Sequence, residues 1–255
     1  MNRMDLIVAR FAEDLNWLLD VPDSVRIIVY NKGSDIGDKR LLERVDVIEK
    51  RMNKGREADS YLAHLRSGRS EGADWVVFTQ GNPFPHSPDF IPLLGQSDRW
   101  AGVQPLTLRW LESRGVPPAF LVDHDERDWL GNLRVRREVF SLRNWGAVSF
   151  LDDGIAHTLR GYLDHHGAPH GTNLAEHFLR LSTWDELADQ AGAADLGSFC
   201  YGAIFGVSAG NLKAFPEGVL DRLQELAASC PVHAYVFERL WLHFFGEPFL
   251  RITRS

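Results

Sequence analysis

Three short apolar runs in the first third of the chain constrain the fold most strongly. They span Leu6 to Ala9, Val25 to Tyr30 and Asp74 to Phe78, and each passes into polar or glycine-containing sequence. Between the first two, the apolar residues of 13–19 recur at helical spacing. The pattern predicts a strand, a helix and a second strand that runs parallel to the first. Open sheets of this kind bind ligands at the carboxyl ends of their strands.

The remaining patterns predict further helices and strands at both ends of the chain. No order is predicted for 91–183, where prolines interrupt the periodicity. Elsewhere the predicted elements are a strand at Val45 to Glu49, a helix from Arg56 to Leu65 introduced by Asn53-Lys54-Gly55, a strand at Tyr201 to Val207, a helix opened by Pro216 and reaching Ala228, and a helix from Val232 to Phe245.

Composition excludes several classes of protein. The formal charge is -7 and no long run of Lys or Arg occurs, so nucleic acid is not an expected partner. No stretch approaches the roughly 20 apolar residues of a membrane helix, and the N-terminus lacks a signal-peptide core. We therefore expect a cytoplasmic protein without a transmembrane segment. Cys200 and Cys230 have no C-x-x-C spacing, so the sequence indicates neither a disulfide framework nor a zinc site.

Several motifs occur in a fixed order near the two ends of the chain. They cover about the first 90 and the last 55 residues. The motifs are Asn16-Trp17-Leu18, Tyr30-Asn31-Lys32-Gly33, Asn53-x-Gly55-Arg56-Glu57, Tyr61-Leu62-x-His64, Phe78-Thr79-Gln80-Gly81-Asn82-Pro83-Phe84-x-His86, Gly202-Ala203-x-Phe205-x-Val207-Ser208, Glu238-Arg239-Leu240-Trp241 and Phe244-Phe245-Gly246. Together they resemble a family of fungal and bacterial proteins of unknown function. This resemblance implies no activity.

The same order of elements more loosely resembles the nucleotide-binding half of GT-A-type glycosyltransferases. That resemblance implies one α/β domain over 1–255 with a GT-A-like (Rossmann-like), mixed and mostly parallel sheet flanked by helices. Residues 1–90 would bind a nucleotide sugar, and 91–255 would bind a small-molecule or glycan acceptor whose hydroxyl receives the sugar. The sequence does not define the oligomeric state.

In that resemblance, a polar turn after a later strand holds a divalent metal, Mn²⁺ or Mg²⁺, through Asp-x-Asp. Thr79-Gln80-Gly81 stands at this place and has no carboxylate, so metal dependence stays open. Two other acidic pairs are candidates for a metal site, with solvated turns as the alternative. They are Asp123 with Asp125, and Asp152 with Asp153.

The resemblance also implies roles for individual residues on the donor side. Arg56, Lys32 or Lys54 would neutralise the departing diphosphate, and Arg56 is preferred. The alternative for Arg56 is a surface arginine paired with Glu57 at a helix start. The other predicted donor-binding residues are Asn53, Glu57, Thr79, Gln80, Gly81, Asn82 and His86.

Glu238 is the candidate general base, because an acid within the mostly apolar segment 235–245 requires either a partner or a function. Its structural alternative is an ion pair with Arg239 or another basic residue that ties the helix to the sheet. Four histidines, His165, His166, His170 and His177, have no metal-ligand spacing and favour a polar loop.

Two further functions compete with glycosyl transfer. Gly206-Val207-Ser208-Ala209-Gly210 matches the nucleophile elbow of serine hydrolases, although only 47 residues follow Ser208 to supply an acid and a histidine. A tight turn permitted by the two glycines is the structural alternative. The other competitor is a non-catalytic carbohydrate- or nucleotide-binding module, which the missing acids at 79–81 favour.

Overall fold

A six-stranded sheet forms the centre of the fold in the computed structural model, which describes residues 3–108, 129–130, 133–148, 154–213 and 215–253. The strands described are β1 (Met4–Arg10), β2 (Val25–Asn31), β3 (Val47–Lys50), β4 (Trp75–Gln80), β5 (Val103–Pro105), β6 (Trp129–Leu130), β7 (Leu133–Arg134), β8 (Glu138–Ser141), β9 (Leu196–Phe199) and β10 (Phe205–Ser208). The large sheet has the order β3-β2-β1-β4-β10-β5, and β6 pairs with β7 and β8 with β9 outside it.

Strands β1 to β4 are parallel, whereas β10 runs antiparallel to both of its neighbours, β4 and β5. The helices described are α1 (Lys39–Arg44), α2 (Arg56–Ser67), α3 (Phe90–Leu94), α4 (Ile155–His166), α5 (Leu174–Leu181), α6 (Asp185–Gly192), α7 (Val219–Ser229) and α8 (His233–Phe244). The predicted mixed α/β class with a mostly parallel, helix-flanked sheet is confirmed. Among the described residues, no helix is both long and apolar enough to cross a membrane.

The two faces of the sheet carry separate apolar clusters. Ile7, Ile28 and Phe78 belong to one cluster, while their chain neighbours Val8 and Val77 belong to the other. Because side chains alternate along a strand, each central strand contributes to both layers. Both faces of these strands are therefore buried, which explains their nearly continuous apolar sequence.

The helix predicted between β1 and β2 is wrong, since the connection contains only a 3₁₀ helix at Asn16–Asp20. Side-chain hydrogen bonds favour the 3₁₀ turn here over the α-helix that the apolar spacing predicts. The Asp14 carboxylate accepts the Asn16 backbone N–H at 2.9 Å, and the Trp17 indole donates to the Gly81 carbonyl at 2.8 Å. The second bond ties this connection to the turn after β4.

Two C-terminal predictions also need correction. The strand predicted at Tyr201 to Val207 is a 3₁₀ turn over Tyr201–Ala203 followed by β10, because Gly202 adopts the left-handed φ of 61° and interrupts the extended chain. The helix predicted to open at Pro216 begins at Val219, after Gly218 at φ 76°. The other predicted strands and helices are present, with ends shifted by no more than two residues.

Candidate functional site

A cavity of about 240 Å³ lies at the carboxyl ends of β1, β2 and β4. The chain places β2 and β3 on one side of β1 and β4 on the other, so the order of strands reverses at β1. Ligand crevices of open α/β sheets form at such a reversal. This strand-end cavity is lined by Ala9, Arg10, Phe11, Glu13, Lys32, Asn53, Arg56, Glu57 and Gln80.

A second cavity of about 350 Å³ lies beside the first, between the turn after β4 and helices α4 and α8. Arg56 and Gln80 line both cavities, so the two are adjoining parts of one cleft. This helix-side cavity is lined by Arg56, Gln80, His86, Gly154, Thr158, Tyr201, Gly202, Tyr235, Glu238 and Arg239.

Tight backbone turns shape the strand-end cavity. The Lys32 N–H donates to the Arg10 carbonyl at 2.8 Å, and a Cβ on Gly33 would lie 1.5 Å from the Phe11 carbonyl oxygen, so only glycine fits there. The Glu13 carboxylate accepts the backbone N–H groups of Phe11 and Ala12 at 2.7 and 3.0 Å. The turn after β1 is thus fixed by hydrogen bonds to its own carboxylate.

Arg56 occupies an unusual backbone position at the start of α2. Its φ is 44°, and Gly55 before it has φ 61°, so two successive residues are left-handed. Non-glycine residues adopt this conformation at a cost of about 1–3 kcal/mol, and such strain concentrates at functional sites. The guanidinium donates to the Tyr235 hydroxyl at 3.0 Å and lies 3.7 Å from a Glu57 oxygen, while its side chain stays 55% exposed. The cation therefore faces the cleft with donors to spare.

The Lys32 side chain stabilises the backbone loop at residues 54–56. Its ammonium donates to the carbonyls of Lys54 and Arg56 and lies 3.2 Å from an Asp59 oxygen, with only 4% of the side chain exposed. Burial lowers the pKa of Lys32, and the Asp59 carboxylate opposes that shift. The geometry favours a role in fixing the loop rather than direct contact with a ligand.

Glu57 and Asn53 complete this side of the cleft. The Glu57 side chain is 9% exposed, and burial raises the pKa of its carboxyl, with the Arg56 charge opposing the shift. Asn53 is exposed at the rim.

Glu238 lies in the wall of the helix-side cavity, on α8. Its carboxylate accepts the Gly202 N–H at 3.1 Å. Burial raises the pKa of Glu238 to about 7; the Arg239 charge opposes the shift and Glu57 adds to it. A carboxyl that ionises near pH 7 is suited to accept a proton in general-base catalysis.

Gly202 brings the turn after β4 against α8. A Cβ at this position would lie 2.6 Å from His86 Cδ2 and 3.3 Å from Gln80 Nε2. The His86 ring also stacks on Tyr201, with centroids 6.1 Å apart. Gln80, His86 and Glu238, which are distant in sequence, therefore meet around one glycine.

The remaining residues predicted for the donor side lie beside the cleft. Thr79 is fully buried in β4, and the buried Gly81 turns its carbonyl toward Trp17. Asn82 is exposed and lines neither cavity. Gln80 is thus the residue of this segment that lines the cleft.

Sequence reasoning missed several residues of the cleft. Arg10 and Phe11 stand at the end of β1, a position that the parallel-strand argument already marks for ligand binding. Tyr235 lies three residues before Glu238 and so shares its helix face. No feature of the sequence marked Tyr201 or Thr158 as a residue of the cleft.

The serine predicted as an alternative nucleophile lies at the other edge of the sheet. Ser208 pairs with Trp75, the first residue of β4, and its hydroxyl donates to the Asn211 side chain at 3.0 Å rather than to a histidine. The chain then forms turns through residue 211 instead of the helix that an elbow requires.

The weak metal candidates Asp123, Asp125, Asp152 and Asp153 lie outside the described residues. The polar loop predicted for the histidines is wrong for three of the four. His165 and His166 form the last turn of α4, and His177 lies in α5, because apolar positions in both segments give amphipathic helices.

The fold and the cleft define an α/β protein with a two-part cleft, which carries an arginine where its parts meet and a carboxyl of raised pKa in the wall of its second part. No protein-family model matches the sequence, and no curated protein matches it either. The motif resemblance therefore stays a prediction, and function has to be argued from the site.

Proposed function

We propose that this protein is a glycosyltransferase, which transfers a sugar from a nucleotide-sugar donor to an acceptor hydroxyl. The observation that carries the proposal is the two-part cleft. Arg56 lies where its parts join, and Glu238, whose pKa is about 7, lies in the wall of the second part. One part would hold the donor and the other the acceptor.

The strand-end cavity suits the phosphates of the donor. The N-terminus of α2 opens at this cavity, where helix N–H groups favour anions. The Arg56 guanidinium offers charge-assisted hydrogen bonds to phosphate oxygens. Together they would compensate the charge that develops on the departing diphosphate.

The helix-side cavity suits the acceptor. The acceptor oxygen would attack the anomeric carbon while its proton passes to the Glu238 carboxylate. The bond between that carbon and the phosphate oxygen breaks, and its electron pair leaves with the diphosphate. Gln80 and His86 offer amide and imidazole groups that bind hydroxyl-rich ligands.

The residues at the end of β4 do not fit the divalent metal that the GT-A resemblance implies. Thr79, Gln80 and Gly81 have no carboxylate, and the nearby Glu13 carboxylate already accepts two backbone N–H groups. Hard cations require oxygen ligands, usually carboxylates. We therefore assign no step of the reaction to a metal.

Ligand binding is the first test. Purified protein would be titrated calorimetrically and by thermal shift with UDP, GDP, CMP and their sugar conjugates, with and without Mn²⁺. A ligand that binds the native state raises its melting temperature. We expect one nucleotide class to bind, and Arg56→Ala to weaken its binding at least about tenfold through loss of charge-assisted bonds.

Arg66→Ala is the matched control, since Arg66 lies in the last turn of the same helix and pairs with Asp221. It should bind nucleotide like the unaltered protein. Failure of every nucleotide to bind, or equal effects of the two substitutions, would contradict the proposed donor site.

A non-catalytic carbohydrate- or nucleotide-binding module is the second candidate. The end of β4 has no carboxylates, and this favours a binding module. The cleft has the Arg56 guanidinium to bind an anionic ligand but lacks the usual ligands for a catalytic metal ion. Measured release of free sugar or nucleotide from a bound donor separates the two. Release that depends on Glu238 supports the transferase, whereas binding without release supports the module.

A further inference from the structure

Three helix ends meet at a cluster of histidines and one cysteine outside the cleft. His165 and His166 end α4, Cys230 follows α7, and His233 begins α8. These four residues are called the histidine cluster below. None of them lines either part of the cleft.

The cluster brings metal-ligand atoms close together. Among the described residues, His165, Cys230 and His233 form a group whose ligand atoms all lie within 4.8 Å of one another. His166 Nε2 lies 2.9 Å from His233 Nε2. Ligand atoms around tetrahedral zinc lie about 3.3–3.8 Å apart, given bonds of about 2.0–2.3 Å. The group of three approaches this spacing, and His166 would join it by turning its Nε2 away from direct contact with His233 Nε2.

A backbone hydrogen bond fixes the position of the proton on the His233 ring. Its Nδ1 lies 2.7 Å from the Leu226 carbonyl oxygen, which only accepts, so Nδ1 carries the proton. The lone pair is therefore on Nε2, which faces His166. Histidines that bind metals are characteristically held in this way, with the other ring N–H donated to a carbonyl or carboxylate.

We propose that the histidine cluster is a zinc site with His165, His166, Cys230 and His233 as ligands. One thiolate and three imidazoles form a ligand set typical of tetrahedral Zn²⁺. The sequence spacing of these residues gave no sign of it, because the ligands come from three helices.

The site would tie together helices that form the cleft. Thr158 of α4 and Glu238 of α8 line the helix-side cavity, and both helices meet at the cluster. A bound metal would cross-link their ends, and its binding free energy adds to that of folding. The role is structural and does not depend on what the cleft binds.

Cobalt binding tests this site without any enzymatic assay. Protein treated with a chelator and kept reduced would be titrated with Co²⁺, followed by absorption spectroscopy. We expect one equivalent to bind, with a thiolate-to-cobalt charge-transfer band in the near ultraviolet and visible bands of tetrahedral cobalt. Zn²⁺ should displace the cobalt and raise the melting temperature of the metal-free protein.

Three variants assign the ligands. Cys230→Ser should abolish the charge-transfer band, and His165→Ala, at an exposed position, should weaken metal binding at least about tenfold. His170→Ala is the control, since His170 is exposed and outside the cluster. Absence of cobalt binding, a band that survives Cys230→Ser, or equal affinities of the two histidine variants would overturn the proposal.

Discussion

At the scale of single residues, Glu238 links the stability of the protein to pH. Its pKa is raised from the ordinary 4.5 to about 7 in the folded state. The folded protein therefore holds this proton more tightly than the unfolded chain. The resulting stabilisation is fully present below pH 4.5 and is lost as the pH rises through about 7. At pH 8 the ionised carboxylate opposes folding.

Glu238→Gln should therefore make the protein more stable at pH 8, by at most roughly 3 kcal/mol, because the amide keeps an acceptor for the Gly202 N–H without the buried charge. Urea unfolding at pH 5 and pH 8 measures this, and the gain should shrink at pH 5. Transfer activity should be lost, since the amide cannot take the proton.

The opposite stability result would favour the structural alternative for Glu238. If the carboxylate served only as an ion-pair partner of Arg239, its loss would remove a counter-charge from that buried cation and destabilise the protein at pH 8. A destabilised Gln variant with full activity would remove Glu238 from the proposed mechanism.

At the scale of elements, the 3₁₀ turn before β10 positions the second cavity. Gly202→Ala should destabilise the protein by about 2 kcal/mol or more, because φ is 61° and the new Cβ would meet His86. It should also weaken ligand binding, since Gln80 and His86 would have to move. Urea unfolding and nucleotide titration are the measurements.

Gly167→Ala provides a matched control for this substitution. Gly167 has nearly the same φ, 62°, but a Cβ there meets nothing within 4 Å. Both substitutions introduce the same backbone strain. The difference between their free energies of unfolding therefore measures the contact with His86 alone. Equal destabilisation would mean that the contact has no effect.

The sequence predicted the parallel strands β1 to β4 and the helices α2, α7 and α8, because their apolar periodicity reflects burial in the final fold. The elements that it did not predict lie mostly in 91–183, where prolines interrupt that periodicity. Strands β1, β2 and β4 have apolar residues on both faces, and that pattern is visible without tertiary contacts. The connection at 16–20 was mispredicted because the Trp17 bond to Gly81 joins segments far apart in sequence. The direction of β10 was equally hidden, since pairing partners cannot be inferred from one strand.

At the scale of the whole molecule, the central strands connect two apolar layers that should unfold together. Trp17 and Trp75 belong to one layer, and Trp145 and Trp241 to the other, so both are reported by tryptophan signals. We expect the urea transitions followed by far-ultraviolet and near-ultraviolet circular dichroism to coincide. Two separated transitions would show that the layers fold independently.

Part of the candidate site could be predicted because the topology of the whole sheet brings distant segments together. Residues directly after parallel strands share one edge of the sheet, which is why Gln80 and the loop carrying Arg56 could be placed together. Glu238 was singled out by a charge within an apolar segment, but its approach to Gly202 depends on how α8 packs. Periodicity carries no information of that kind.

Arg56 lines both cavities and donates to the Tyr235 hydroxyl, so ligand binding in one cavity can affect ligand binding in the other. A ligand that draws this guanidinium toward one cavity alters the shape and charge of the other cavity. Affinity for the second ligand then depends on whether the first is bound, and linkage requires the effect to be equal in both directions. A single side chain thus gives the cleft the means for heterotropic cooperativity between the ligands of its two cavities.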